Sequence, residues 1–406
     1  MTMKAGLLDD CDFVFVSKHV SVNTYGVCVL CGSRDDPGSL PGTAHFLEHM
    51  IFTSSPSQAI LQEGGYIQAM TERERTFYIC HIPNNRNELF NRFLRFLHDP
   101  HFSDDAIQQE KNNIMYEYMT MQKHQITDII NALYKLIFPY DGLGNPVLGY
   151  PVSIESIRID DLVAFHRDQY RPSNIIIVQT GSKINSRYSP NGNRFFYNQR
   201  KISCPVEINS EIPNFGWEVS PSNNNIYLIA FPVVIHNDHD KHVLVIIKHL
   251  LTQFAEKFFR SHNDCRNPSF QFSFQCKHYN TISILFCLIA GSVEVCRKLF
   301  SRFREMIRFI LRCGFNQSEM RKINEYDKNQ RIIRGRDPVA EIYEYMQNMI
   351  QCVDISQLKA RALSPRPLIN ENEVGSLAQK VFMPSGMHYY SKCKADMYNL
   401  PYILHI

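Results

Sequence analysis

The chain has 406 residues, 44% of them hydrophobic and 20% charged, with a formal net charge of +3, which suits one large or two medium globular domains. Acids and bases are mixed, so nucleic-acid binding gets no support, and no apolar run reaches the roughly 18 residues that a membrane span needs. Twelve cysteines are scattered without regular spacing, the pattern of a reduced interior where cysteine acts as a small hydrophobe.

In chain order, "DFVFVSKHVSV" from Asp12 and "YGVCVLC" from Tyr25 read as paired strands. Cys28 and Cys31 form a C-x-x-C, a spacing found in metal and redox sites. Residues three apart in a strand face opposite sides, and no second such pair exists, so both are expected in the core. Gly42 to Phe52 reads as a helix and "TFYICHIP" from Thr76 as a strand. Leu89, Phe90, Phe93, Leu94 and Leu97 recur at helical spacing. Ser103-Asp104-Asp105 is a helix N-cap, opening a helix that carries Glu110 and Glu117. These two are two turns apart and share a face.

"NIIIVQTG" from Asn174 is a buried strand that ends the first half. Ser182 to Ser222 is rich in Asn, Ser, Pro and Arg and reads as a worn domain end plus linker. The second half restarts with a strand, Asn225 to Val234. Helices at Lys241 to Arg260 and Cys296 to Leu311 follow, with strands "FQFSFQC" and "TISILFCLIAG" between them. The order of elements repeats that of the first half, dividing the chain into residues 1–205 and 206–406.

His45-Phe46-Leu47-Glu48-His49 reads H-x-x-E-H, the inverted form of a zinc-peptidase signature. On a helix, His45 and His49 project from one face, where two imidazoles can hold one metal ion. Glu48 lies on the same side, placed to take a proton from water at the open metal position.

The surrounding run "GSRDDPGSLPGTAHFLEHMIF" (Gly32 to Phe52) resembles the pitrilysin/insulinase family of inverted zinc metallopeptidases. Within it, the likeness is to the catalytic (beta) subunits of mitochondrial processing peptidases. It continues through "IQAMTERERTFY" (from Ile67), "GLGNPVLGYPVSIESI" (from Gly142) and "DLVAFHRDQYRPSNIIIVQTG" (from Asp161). The resemblance implies an α+β fold of two similar domains, each a mostly antiparallel sheet flanked by helices, facing each other across a substrate cavity. It implies one Zn²⁺ per chain, held by His45, His49 and Glu117, with Glu48 as general base and Glu110 orienting a ligand histidine. Gln68, Ala69 and Thr71 fall in the strand expected to hold extended substrate, and Arg260 matches an arginine of the second domain that helps position it.

Some positions depart from the family pattern. Gln68 replaces an asparagine. Thr127 and Asn131 are neutral where the processing peptidases have acids that contact a substrate arginine. Phe270 stands where a tyrosine donor is usual, and a phenyl ring cannot donate to an oxyanion. No glycine cluster of the kind found in the partner (alpha) subunit is present.

The implied activity is a zinc endopeptidase removing mitochondrial-type targeting presequences, alone or with an alpha-type partner. The alternatives are general oligopeptide degradation or a non-catalytic core subunit. Asp9, Asp10 and Asp12 do not suit a transit peptide, which leaves internal targeting or the cytoplasm; the resemblance makes a mitochondrion or a reduced relative of one the expected compartment.

Overall fold

The computed structural model describes residues 2–122, 125–190, 215–222, 224–235, 237–261, 270–279, 281–334, 336–352, 354–363, 367–382, 387–393 and 402–404. Strands are β1 (Met3–Leu8), β2 (Cys11–Ser17), β3 (Val22–Val29), β4 (Tyr66–Thr71), β5 (Thr76–Pro83), β6 (Ile175–Gly181), β7 (Tyr188–Ser189), β8 (Phe215–Ser222), β9 (Asn224–Val234), β10 (Gln271–His278), β11 (Ile282–Ser292), β12 (Met387–Cys393) and β13 (Tyr402–Leu404). Helices in the first half are α1 (Thr43–Phe52), α2 (Ser55–Gln62), α3 (Asn87–His98), α4 (Asp104–Gln122), α5 (Gln125–Ile137), α6 (Pro151–Ser156) and α7 (Ile159–Gln169). The second half adds α8 (Asp238–Ser261), α9 (Val293–Cys313), α10 (Gln317–Arg334), α11 (Pro338–Gln351), α12 (Ile355–Leu363) and α13 (Glu371–Phe382). None of the described helices is long and apolar enough to cross a membrane.

The fold is α+β, and the chain forms two compact units, each discontinuous in sequence. One comprises residues 1–123, 145–202 and 332–366, the other 124–144, 203–331 and 367–406. The expected boundary between residues 205 and 206 lies outside the described residues.

The first unit is built on a seven-stranded sheet of order β4-β5-β3-β6-β2-β1-β7, antiparallel except where β2 runs parallel to β6. Strand alternation sorts its residues onto two faces. Phe13, Phe15, Tyr25, Val27, Tyr78 and Cys80 pack under α1, α3 and α7, together with Phe46, Leu47, Phe90, Phe93 and Leu162. Val14, Val16, Phe77, Ile79, Ile176 and Val178 pack against Ile342, Met346 and Met349 of α11 and Ile355 and Leu358 of α12. Cys28 belongs to the second of these cores and Cys31 to the first, as alternation dictates.

The second unit has a six-stranded sheet of order β10-β11-β9-β8-β12-β13, with β8 and β12 parallel. One face packs against α8, α9 and α13, through Leu244, Leu251, Leu299, Phe303 and Val381. Leu228, Ala230, Ile284 and Phe286 on the other face pack against Ile129, Leu133 and Ile137 of α5. His242 of α8 meets Asp327 of α10 at 3.1 Å, and Asp327 also pairs with Arg331 at 2.7 Å. Both members of the His242–Asp327 pair are buried, so they answer each other's desolvation cost.

Two features differ from the sequence reading. The segment taken as a worn end plus linker contains β7 and β8. Gly216 and Pro221 break the apolar alternation of β8, so its strand character comes from pairing with β9, for example Trp217 opposite Leu228. The second difference is that each sheet is covered on one face by helices from the other half of the chain.

Two stability predictions follow from the first unit. A Cβ added at Gly26 of β3 would lie 2.2 Å from Ile342 Cγ2. Gly26→Ala should therefore lower the unfolding free energy by about 1–3 kcal/mol through overpacking, read from denaturant midpoints. His166 sits in the core of α7 with its Nε2 2.8 Å from the Leu97 carbonyl. Burial lowers its pKa below the ordinary 6.5, so between the two values the unfolded chain binds more protons. Stability should then fall as pH drops through the ordinary 6.5 toward the lowered value, and His166→Gln should make that fall shallower.

Candidate active site

Helix α1 is held at its start by backbone packing. Gly42 has φ of 99°, and a Cβ there would lie 2.9 Å from the Gly149 Cα. Gly149 has φ of 72°, and a Cβ on it would lie 2.2 Å from the Pro41 carbonyl oxygen. Only glycine suits either position, which explains the two glycines in the runs "PGTAH" and "LGYP". The Asp36 carboxylate accepts the N–H groups of Gly42 at 2.6 Å and Ala44 at 2.8 Å, answering the first unpaired donors of the helix. Burial pushes the Asp36 carboxyl up to about 8, against those two donors.

Four residues apart, His45 and His49 stand edge to face with ring centroids 4.6 Å apart. Glu117 comes from α4, with its Oε2 3.6 Å from His45 Nε2 and 3.3 Å from His49 Nε2. One donor atom from each of the three residues lies within 4.8 Å of the others. Ligand atoms placed about 2.0–2.2 Å from a tetrahedral ion are spaced about 3.3–3.6 Å apart, so the three residues fit such an ion, and two histidines with one glutamate are a donor set that zinc accepts.

Glu110 lies two turns before Glu117 and is buried. Its Oε2 is 3.1 Å from His49 Nδ1, and its Oε1 accepts from Asn113 at 3.2 Å. With Nδ1 engaged by Glu110, Nε2 is the ring atom of His49 that faces Glu117. Among the described residues His45 Nδ1 has no hydrogen-bond partner.

The surroundings make these two imidazoles unequal. Burial, then the neighbouring His49, lowers the His45 pKa to about 4. Burial works the same way on His49, but Glu110, Glu117 and Glu48 outweigh it and raise that ring to about 9. Bonds from His49 hold Glu117 below the usual carboxylate range, while Glu110 is lowered by His49 and Asn113 despite its burial.

Glu48 is buried on the same helix, and its Oε2 accepts from Thr71 Oγ1 at 3.2 Å. Burial raises its carboxyl to about 7, opposed by His49 and Thr71.

Thr71 ends β4, so the structure sets it against Glu48. Ala69 shares that strand face. Gln68 pairs with Ile79 across β5 and projects from the opposite face, away from Glu48. Arg260 stands in the last turn of α8, and its side chain lies outside the described residues. Phe270 packs against the core of the second unit. A cavity of about 760 Å³ in the first unit, lined by Asp9, Arg95, His98, His166 and Arg187 among others, contains none of these residues. Sequence reasoning missed Asp36 and Asn113. The acid eight residues before Ala44 was a possible capping signal, whereas Asn113 had no signal beyond its i+3 spacing from Glu110.

Over residues 14–150 the chain matches the model of the insulinase family, peptidase family M16. It is 26% identical over 245 residues to the probable mitochondrial-processing peptidase subunit beta of Arabidopsis thaliana, covering 56% of this chain and 46% of that protein. It is 31% identical over 169 residues to the uncharacterized zinc protease YmxG of Bacillus subtilis (strain 168), covering 39% of this chain and 40% of that protein. The chain thus spans less than half the length of these curated relatives. Among solved structures, an M16 peptidase inactive domain from Pseudomonas fluorescens superposes with a TM-score of 0.76, over 94% of this chain and 96% of that one. At 14% identity this is a likeness of fold.

Glu110→Gln should weaken Zn²⁺ affinity by about 10- to 100-fold by loosening the acceptor that orients His49. Competition against a chromophoric chelator measures the change.

Proposed function

We propose that the chain is a zinc-dependent endopeptidase acting on extended peptides. The observation that carries this reading is the convergence of His45, His49 and Glu117 on one point, with Glu48 anchored beside them on the same helix. Zinc held by those three side chains would supply Lewis acidity to the scissile carbonyl and to water.

The protein's own groups do the rest. Glu48 takes a proton from the attacking water and returns it to the leaving amine, and a carboxyl near neutrality suits both transfers. Glu110 fixes the His49 ring. β4 is an edge strand, paired on one side with β5 among the described residues, so its free side can take an extended peptide as an added strand. The backbone of Ile67 to Thr71, with Ala69 and Thr71 facing α1, fits that task.

Targeting presequences are the favoured substrate class, supported by the name of the Arabidopsis relative. Thr127 and Asn131 lend no support to cleavage directed by arginine, since neither carries an acid. The named relatives are plant mitochondrial and bacterial, and a mitochondrion or a derived organelle is the favoured compartment. An alpha-type subunit is the partner to test.

The zinc-loaded chain, alone, is assayed on a basic presequence-like peptide beside Glu48→Gln. The expected outcome is hydrolysis by the wild type and a loss of about 10² to 10⁴-fold in kcat for the variant, with zinc still bound. Equal rates in both would remove Glu48 from the chemistry. Stoichiometric zinc with no hydrolysis by either, with or without an alpha-type subunit, would favour a structural subunit.

A further inference from the structure

We infer that the Thr71 side chain positions Glu48, rather than contacting substrate; this rests on the peptidase reading above. Glu48 and Thr71 are 23 positions apart in sequence, and both are buried, at 6% and 8% exposure. The Thr71 hydroxyl donates to Glu48 Oε2 at 3.2 Å. A side-chain bond from the neighbouring strand thus grips the carboxylate.

That grip matters because of what glutamate is. Its side chain turns about three bonds, each with alternative staggered wells. The exchange of a proton with a reacting water requires hydrogen-bond reach, roughly 2.6–3.2 Å. A carboxylate left to its own rotamers spends much of its time elsewhere. Threonine is the stiff choice for an anchor, since branching at Cβ restricts χ1, so its hydroxyl follows its backbone.

The backbone at Thr71 is itself tied down. Thr71 opens the β4–β5 hairpin, where Glu72 N–H donates to the Arg75 carbonyl at 2.7 Å. Ser33 N–H donates to the Glu72 carbonyl at 3.2 Å, and Arg34 N–H to the Arg73 carbonyl at 2.7 Å. Arg34 also pairs with Glu74 at 2.8 Å, with both side chains mostly buried. A Cβ on Gly32 would fall 2.2 Å from the Glu72 carbonyl oxygen, so the strands can dock this closely only because residue 32 has none. The Gly32-Ser33-Arg34 run therefore fastens the hairpin to the segment that leads into α1. Through Thr71, it sets the base against the helix that bears it.

The test uses Thr71→Val, which keeps the shape and removes the hydroxyl, and Thr71→Ser, which keeps the hydroxyl. The expected result for Thr71→Val is a kcat lower by about 10-fold or more with KM within about two-fold of wild type. Thr71→Ser recovers most of that loss, and Thr71→Val adds nothing further in a Glu48→Gln background. A raised KM with kcat intact would make Thr71 a substrate contact and overturn the inference, as would a serine variant as impaired as the valine one.

A readout independent of turnover covers the case in which the wild type is inactive and the peptidase reading fails. In crystals of zinc-loaded Thr71→Val, Glu48 should occupy more than one rotamer while His45, His49 and Glu117 stay in place. A single, unmoved Glu48 would end the inference whatever the activity.

Discussion

The site depends on a contact between two backbones. Where Pro41 and Gly42 meet Leu148 and Gly149, no side chain separates the strands of chain, and the Gly149 Cα sits inside the space that any Cβ on Gly42 would need. That contact, with the Asp36 carboxylate bonded to two N–H groups of the first turn, sets where α1 begins. Once its origin is set, the 3.6-residue turn decides the rest. His45 and His49 fall toward α4 and Glu48 toward β4.

Around this helix, burial and charge act in opposite directions, and geometry decides which prevails. His45 has desolvation and a second imidazole against it, so it stays neutral to about 4. His49 has a carboxylate at each nitrogen, Glu110 at Nδ1 and Glu117 at Nε2. Identical side chains one turn apart therefore behave differently. Glu48, buried and opposed only in part by His49 and Thr71, is pushed the other way from Glu110 and Glu117.

Much of this arrangement was legible in the residues. H-x-x-E-H states a helical face, and the seven-residue step from Glu110 to Glu117 states another, so the five side chains could be placed on two helices in advance. Alternation likewise put Cys28 and Cys31 in separate cores. The partner of Glu48 was not legible, because Thr71 comes from a strand whose distance from α1 is set by packing at Gly32. Neither was the covering of the two sheets. The apolar stripes of α5 and α11 declare that each must be buried, but a stripe carries no address, and each packs on a sheet formed mainly by the other half of the chain.

That exchange of helices bears on how the polypeptide is made. When β6 has left the ribosome, the strands β1 to β6 can pair and α1, α3 and α7 can close over one face. The other face, with Val14, Val16, Phe77, Ile79, Ile176 and Val178, must then wait for α11, which begins more than 150 residues later at Pro338. In the meantime α5 is already present, with Ile129, Leu133 and Ile137, and its own sheet has yet to be translated. The nascent first half thus presents two apolar surfaces, the sheet face and the stripe of α5, for which the complements are still unmade, the condition in which aggregation competes with folding. Such long-range closure is slow, and synthesis in order from the N-terminus makes the first half the more dependent on protection.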